Sequence, residues 1–318
     1  MPGCVLSYGF PSAPRSFQTR PDVEASMGSK RTRSGGVRSN VYRLPISRTA
    51  ALHRLRMHRR GAANDPVAEE GAAVSTEIAT SVTDDIHRRV QSMDWDDLRV
   101  QLDEVGHAIT PVLLNGDECV QLASLFDDGN FRSTIDMARH RFGDGRYRYF
   151  AHPLPERIAA LRAAFYPPLA VVANRWSKLL RGEYPVFPTT HDELLEQCQA
   201  AGQTRPTPLI LRYGEGDWNA LHQDLYGDVY FPFQVLTVLS ERGVDYEGGE
   251  FVLLEQRPRA QSRAHVLTPP RGAFVIFPTA ERPNRGSNGY HRIRMRHGVS
   301  TVTKGARTAL GVIFHDAK

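Results

Sequence analysis

Cysteine is scarce and poorly spaced for pairing: Cys4, Cys119 and Cys198 are the only three in 318 residues, with no CxxC pair. This odd, scattered set offers no disulfide framework, zinc ribbon or redox couple, and reads as reduced thiols in a cytoplasmic protein. Long apolar runs are missing as well. No stretch of 18 apolar residues exists to cross a bilayer as a helix, so no membrane partner is expected. Residues Met1 to Arg20 lack the apolar h-region of a secretory signal. Their Arg and Ser content resembles a transit peptide; equally, Met27 or Met57 reads as the start of a bacterial chain behind an overlong gene model. Neither HExxH nor an HxH pair with a glutamate occurs, which argues against a metal-dependent hydrolase on a cupin-like barrel. No internal repeat is visible.

Acidic residues are nearly absent from one end. Residues 1–62 hold 12 Lys or Arg against Asp22 and Glu24, a net of +10, whereas the remaining 256 carry 28 basic and 33 acidic groups, a net of −5. The basic total therefore belongs to the tail, which suits phosphate or acidic surfaces non-specifically. The rest of the chain is mildly acidic.

Composition divides the chain into three. Residues 1–80, rich in Arg, Ser, Gly and Ala, read as a disordered basic segment. Residues 81–206 read as a helical support region. An N-cap signal at Thr83-Asp84-Asp85 opens a helix through Ile86, Val90, Met93, Leu98 and Leu102 that ends near Gly106. His107 to Leu114 is strand-like, and Asn115-Gly116-Asp117 caps a helix carrying Val120, Leu122 and Leu125. Pro155 to Gly182 has helical periodicity interrupted at Pro167-Pro168, and His191 to Ala201 is a further helix. Residues 207–318 change in texture. Leu209 to Tyr213, Phe231 to Leu239, Glu250 to Leu254, Ala273 to Phe277, Arg292 to Val302 and Ala309 to Phe314 are β-prone runs between Gly, Pro and Asn clusters. Helices followed by strands imply an α+β domain ending in a sandwich or barrel.

The chemistry concentrates in Leu221-His222-Gln223-Asp224. Side chains alternate along an extended strand, so His222 and Asp224 point to the same side and can share one metal ion. A second imidazole would complete the two-histidine, one-carboxylate set of non-haem iron oxygenases, with positions left open for a chelator and dioxygen. His265, His291, His297 and His315 all lie downstream in strand-like runs. Arg307 discriminates among them. Ten residues separate it from His297 by way of the turn Thr303-Lys304-Gly305-Ala306, which lets both face one cavity from neighbouring strands. The arginine fork suits bidentate capture of a carboxylate. Gly248-Gly249 reads as structural, and Arg257, Arg259 and Arg263 as a solvated loop. Arg146-Tyr147-Arg148-Tyr149-Phe150 fits either base stacking or a half-buried strand.

From Thr207 to the C-terminus these motifs resemble the Fe(II) and 2-oxoglutarate dependent dioxygenase superfamily, with His222, Asp224 and His297 on its metal-ligand motif and Arg307 on its 2-oxoglutarate anchor. The resemblance implies a double-stranded β-helix, a jelly-roll or cupin-like barrel with N-terminal helices packed against it. It also implies Fe(II) as metal, 2-oxoglutarate and O2 as co-substrates and ascorbate as a stimulant. The co-substrate would be decarboxylated to succinate and CO2 while a hydrogen is abstracted from the substrate. Two branches compete. Gly248-Gly249-Glu250 and the His297 to Arg307 interval are similar to prolyl hydroxylases, which commonly carry lysine where Arg307 stands; these act on a peptide or amino acid. Leu211-Arg212-Tyr213 through the HQD resembles AlkB-type dealkylases, where Tyr213 would hydrogen-bond the co-substrate, although Leu211 replaces their usual asparagine and their second C-terminal arginine is absent. From Trp95 onward the chain also looks like a bacterial oxygenase family described as acting oxidatively on damaged DNA. Alkylated nucleic acid is therefore the favoured substrate, prolyl hydroxylation the alternative, and a non-catalytic jelly-roll binding module the reading from another class.

Overall fold

The computed structural model describes residues 82–181 and 185–318; the expected disordered segment 1–80 lies outside the described residues. Residues 82–91 form α1, followed by α2 (Trp95–Val105), β1 (Ala108–Val112), α3 (Gly116–Asp128), β2 (Phe131–Asp136), α4 (Met137–His140), β3 (Gly143–Asp144), β4 (Arg146–Phe150), α5 (Glu156–Leu179) and α6 (His191–Ala200). Strands then dominate: β5 (Leu209–Tyr213), β6 (Trp218–His222), β7 (Phe233–Val238), β8 (Tyr246–Gly248), β9 (Phe251–Gln256), β10 (Arg263–Leu267), β11 (Ala273–Pro278), β12 (Glu281–Gly286), β13 (Gly289–Val299), β14 (Val302–Gly305) and β15 (Arg307–Ile313). No helix among the described residues is long and apolar enough to cross a membrane.

Two antiparallel sheets make the double-stranded β-helix. The larger runs β1-β11-β7-β15-β5-β4-β2 and the smaller β10-β9-β13-β6-β3, with β12 paired to β13. The period of two divides each strand of the larger sheet between two cores. Ile210, Phe233, Val235, Phe274, Ile276, Leu310 and Val312 point out to the helices. Leu209, Leu211, Tyr213, Leu236, Val238, Val275, Phe277, Ala309 and Ile313 point into the barrel. This alternation also turns Arg307, two residues before Ala309, toward the interior.

The structure differs from the sequence expectation in four ways. The single helix read from Thr83 to Gly106 is two, because Asp94 caps α2 by accepting from Asp97 N at 3.0 Å, and Trp95 Nε1 closes the corner by donating to Val90 O at 2.9 Å. Pro167 and Pro168 do not interrupt α5. An internal proline costs about 3 kcal/mol, but Ile158, Leu161 and Phe165 before the pair and Leu169, Val172 and Trp176 after it are all buried. Each such side chain contributes roughly 1.5–3 kcal/mol, so packing outweighs the lost bonds. Residues 81–206 are not only helical support: β1 pairs β11, β4 pairs β5 and β3 pairs β6, so a boundary at 206 would cut both sheets. These strands cover edges that would otherwise present unpaired backbone groups. Finally, the run read from Arg292 to Val302 divides into β13 and β14, the latter pairing with β8.

The last strand is fastened to α5 by a buried ion pair. Arg162 Nε donates to Ile313 O at 2.9 Å, and its Nη2 reaches Phe314 O at 2.9 Å and Asp316 Oδ1 at 2.7 Å. His191 and His315 lie nearby, one with Nε2 at 2.9 Å from Phe314 O, the other accepting from Phe231 N at 3.1 Å through Nδ1. Burial, followed by the Arg162 charge, pushes both imidazoles down to about 3. A folded value below the unfolded one of about 6.5 means that their contribution is complete above that pH and is lost as pH falls toward 3. Unfolding near pH 5 should therefore take up about two protons on their account, a slope of about 2.7 kcal/mol per pH unit. Urea titrations from pH 7 to 4 measure it; a flat stability over that range would refute it.

Candidate active site

The smaller sheet sets the two histidines side by side. β6 and β13 are antiparallel with His297 directly opposite His222, and the rings lie 4.2 Å apart between centroids. β6 ends at His222, and the chain carries Asp224 into the same space. His297 Nε2 is 3.1 Å from Asp224 Oδ2, and His222 Nε2 is 3.5 Å from Asp224 Oδ1. One ligand atom from each of the three residues lies within 4.8 Å of the others. His222 Nδ1 is 2.7 Å from Ala220 O, which fixes the ring with Nε2 facing the carboxylate. Gln223 holds the turn by donating to Ala280 O and Met295 O, each at 2.8 Å.

Burial pushes the Asp224 carboxyl up, but the His297 and His222 imidazoles outweigh it and hold the group well below the usual range. Burial pulls His222 down while its bond to Asp224 more than restores it, leaving it raised; His297, fully enclosed and beside His222, is lowered. Two imidazoles around one buried carboxylate form the donor set that suits Fe(II) with open positions.

Arg307 faces this cluster from the larger sheet, across the barrel and not on a strand adjoining β13. The expected turn between them is itself β14. β15 pairs with β5 in a register that sets Arg307 opposite Tyr213. Arg307 is 1 % exposed, and its Nε and Nη1 have no hydrogen-bond partner. Burial lowers its pKa against Tyr213 and Tyr246, which favour the charged form. Burial pushes the Tyr213 hydroxyl up to about 12, while Arg307 acts against it; that hydroxyl accepts from Asn219 Nδ2 at 3.2 Å. Gly249 makes room for the arginine: at φ +60° it adopts a left-handed conformation, and a Cβ there would lie 2.8 Å from Arg307 Cδ.

A cavity of about 200 Å3 joins these groups, lined by His222, Asp224, His297, Arg307 and Tyr213, and by several aromatic rings. Tyr147, Tyr149 and Tyr226 are among them, and none was placed in the site from the sequence. Alternation in Arg146-Tyr147-Arg148-Tyr149-Phe150 is the signal that could have found two: the half-buried strand is what forms, with both tyrosines turned to the cavity. Tyr226 donates to Asp224 Oδ1 at 2.5 Å, and Tyr149 OH lies 3.0 Å from Tyr226 OH. Partners of this kind commonly change metal affinity by about 10–100-fold. Tyr226→Phe should weaken Co(II) binding, followed by its visible absorption, at least tenfold; unchanged affinity would remove Tyr226 from a positioning role. The other downstream histidines stand apart. His265 meets His107 edge-to-face with centroids 5.0 Å apart, His291 lies by Asn284 on the exposed β12–β13 hairpin, and His315 serves the C-terminal core.

Residues 145–317 match the family described as an oxygenase catalysing oxidative methylation of damaged DNA. Two uncharacterized proteins of Mycobacterium tuberculosis, from strains H37Rv and CDC 1551, are each 48 % identical over 184 residues, covering 55 % of this chain and 78 % of the relative. Among solved structures, a 2OG-Fe(II) oxygenase family oxidoreductase from Burkholderia pseudomallei is 18 % identical at a TM-score of 0.42, over 70 % of this chain and 92 % of its own. A Pseudomonas putida prolyl-4-hydroxylase is 13 % identical at 0.41, over 70 % and 99 %. Two histidines and a carboxylate converge inside the barrel beside a buried arginine, and the family match spans more than half of the chain: the chain belongs to this oxygenase family.

Proposed function

We propose that the protein oxidises alkyl groups on damaged DNA, with His222, Asp224 and His297 as the ligands of Fe(II) and Arg307 as the anchor of 2-oxoglutarate. One observation carries the assignment of the site: two buried guanidinium nitrogens of Arg307 lack partners in the cavity that the His–Asp–His cluster lines. An unsatisfied buried cation is costly, and a carboxylate entering the cavity would satisfy it. Fe(II) with 2-oxoglutarate and O2 supplies the oxidising chemistry when bound, yielding succinate and CO2. The protein's own share is placement. Asp224 stays ionised between two imidazoles, Tyr226 steadies one of its oxygens, and Tyr213 lies where its hydroxyl can meet the co-substrate. Phe251 and Phe277 pack against His297 and help keep water out, with ring centroids 6.0 and 4.9 Å away.

The choice of DNA is supported by the description of the family. Succinate release measured with methylated single-stranded DNA and with proline-containing peptides tests it. Stimulation by the methylated oligonucleotide alone is expected, and stimulation only by peptides would transfer the protein to the prolyl hydroxylase reading. Uncoupled 2-oxoglutarate decarboxylation with Fe(II) alone separates either reading from a non-catalytic binding module.

A further inference from the structure

We propose that the outer face of β13 and its hairpin partner β12 forms a track for the sugar–phosphate backbone of DNA. Along β13, Ile293, Met295 and His297 are buried toward the barrel, so Arg292, Arg294 and Arg296 project from the opposite face. Successive side chains on one face of a strand are about 6.6–6.8 Å apart, an interval that lets neighbouring guanidinium groups reach successive phosphates. Tyr290 continues the row at 44 % exposed, and Arg285 stands directly opposite it on β12.

Charge on this face is only partly compensated: Glu281 on β12 stands opposite Arg294 and is engaged by Arg292. Glu281 is the carboxylate that β12 places there, and Arg292 Nε meets it at 2.8 Å. Arg294 and Arg296 are exposed, and their neighbours across β9 are Gln256 and Leu254, which bring no charge. Residues 63–318 carry a net of −5, so a stripe of Arg285, Arg294 and Arg296 runs against the balance of the domain. A polyanion is the occupant that such a stripe fits, and Tyr290 adds a ring face for a base.

The stripe also runs past the end of β6. β6 ends at His222 opposite His297, so the residues of β13 before His297 run past the end of β6, where Gln223 ties the chain to Met295 O. Arg296 precedes His297 directly. The two side chains point to opposite faces of β13, so a strand held along this face is separated from the ligand cluster by the sheet and reaches the cavity around the end of β6.

This inference rests on the DNA reading above, and the experiment separates the two. Fluorescence anisotropy of a methylated single-stranded 20-mer is measured with the full-length protein, its Arg294→Gln/Arg296→Gln variant and an Arg99→Gln control on α2, across salt concentrations. Removing two phosphate contacts should reduce the log–log salt slope by about 1.4 and weaken binding about tenfold or more at low salt. The control should bind as the wild type does. Uncoupled 2-oxoglutarate decarboxylation should be unchanged in the double variant, while KM for the oligonucleotide rises. Wild-type binding with an unaltered slope in the double variant would overturn the track and leave the DNA reading standing. Absence of any oligonucleotide binding by the wild type would overturn both.

Discussion

His297→Ala is expected to abolish Fe(II)-dependent decarboxylation of 2-oxoglutarate, with turnover reduced at least about a thousandfold, equivalent to about 4 kcal/mol of lost transition-state stabilisation. His297 Nε2 lies 3.1 Å from Asp224 and its ring 4.2 Å from that of His222, so no other imidazole among the described residues stands ready to replace it. Its strand is held by β9 on one side and by β6 and β12 on the other, so the fold should survive the substitution. Co(II) binding, read by visible absorption, separates loss of the metal from loss of structure, and circular dichroism checks the latter. Activity within tenfold of wild type would dismiss His297 as a ligand.

Arg307→Leu should raise KM for 2-oxoglutarate by about a hundredfold or more while leaving Co(II) affinity nearly unchanged. Breaking a buried, hydrogen-bonded charge pair costs about 3–5 kcal/mol, and each 1.4 kcal/mol is a factor of ten. Arg307→Lys should recover part of the loss, because it returns the charge without the planar fork. At 1 % exposure the guanidinium is shielded from salt, so the effect should vary little with ionic strength. A metal-affinity loss as large as the KM change would show that Arg307 supports the ligand cluster and not the co-substrate.

The residues of the HQD segment were legible because their relation is local. Two ligand types one residue apart stay close whatever the rest of the fold does, even though β6 ends at His222, and the cap at Asn115 is equally local: its side chain accepts from Glu118 N. The β-prone runs from Leu209 onward announced the barrel for the same reason. Harder to read were β6, β10 and β12. Their sequences, WNALH, RAHVL and ERPNRG, lack a long apolar alternation because parts of them face solvent or lie at an edge.

By itself the sequence determined the candidate ligand set, the alternation that turns Arg307 inward and the α+β order of elements, all consequences of period and propensity within short windows. The tertiary structure alone decided the rest. It set His297, which the interval to Arg307 had singled out, directly opposite His222, because strand register joins residues 75 positions apart. It placed Arg307 on the facing sheet instead of a neighbouring strand, since closing the barrel brings two sheets together across a common interior. It also turned two tyrosines from β4 toward the His–Asp–His cluster and put Tyr226 against Asp224, contacts that depend on packing in three dimensions.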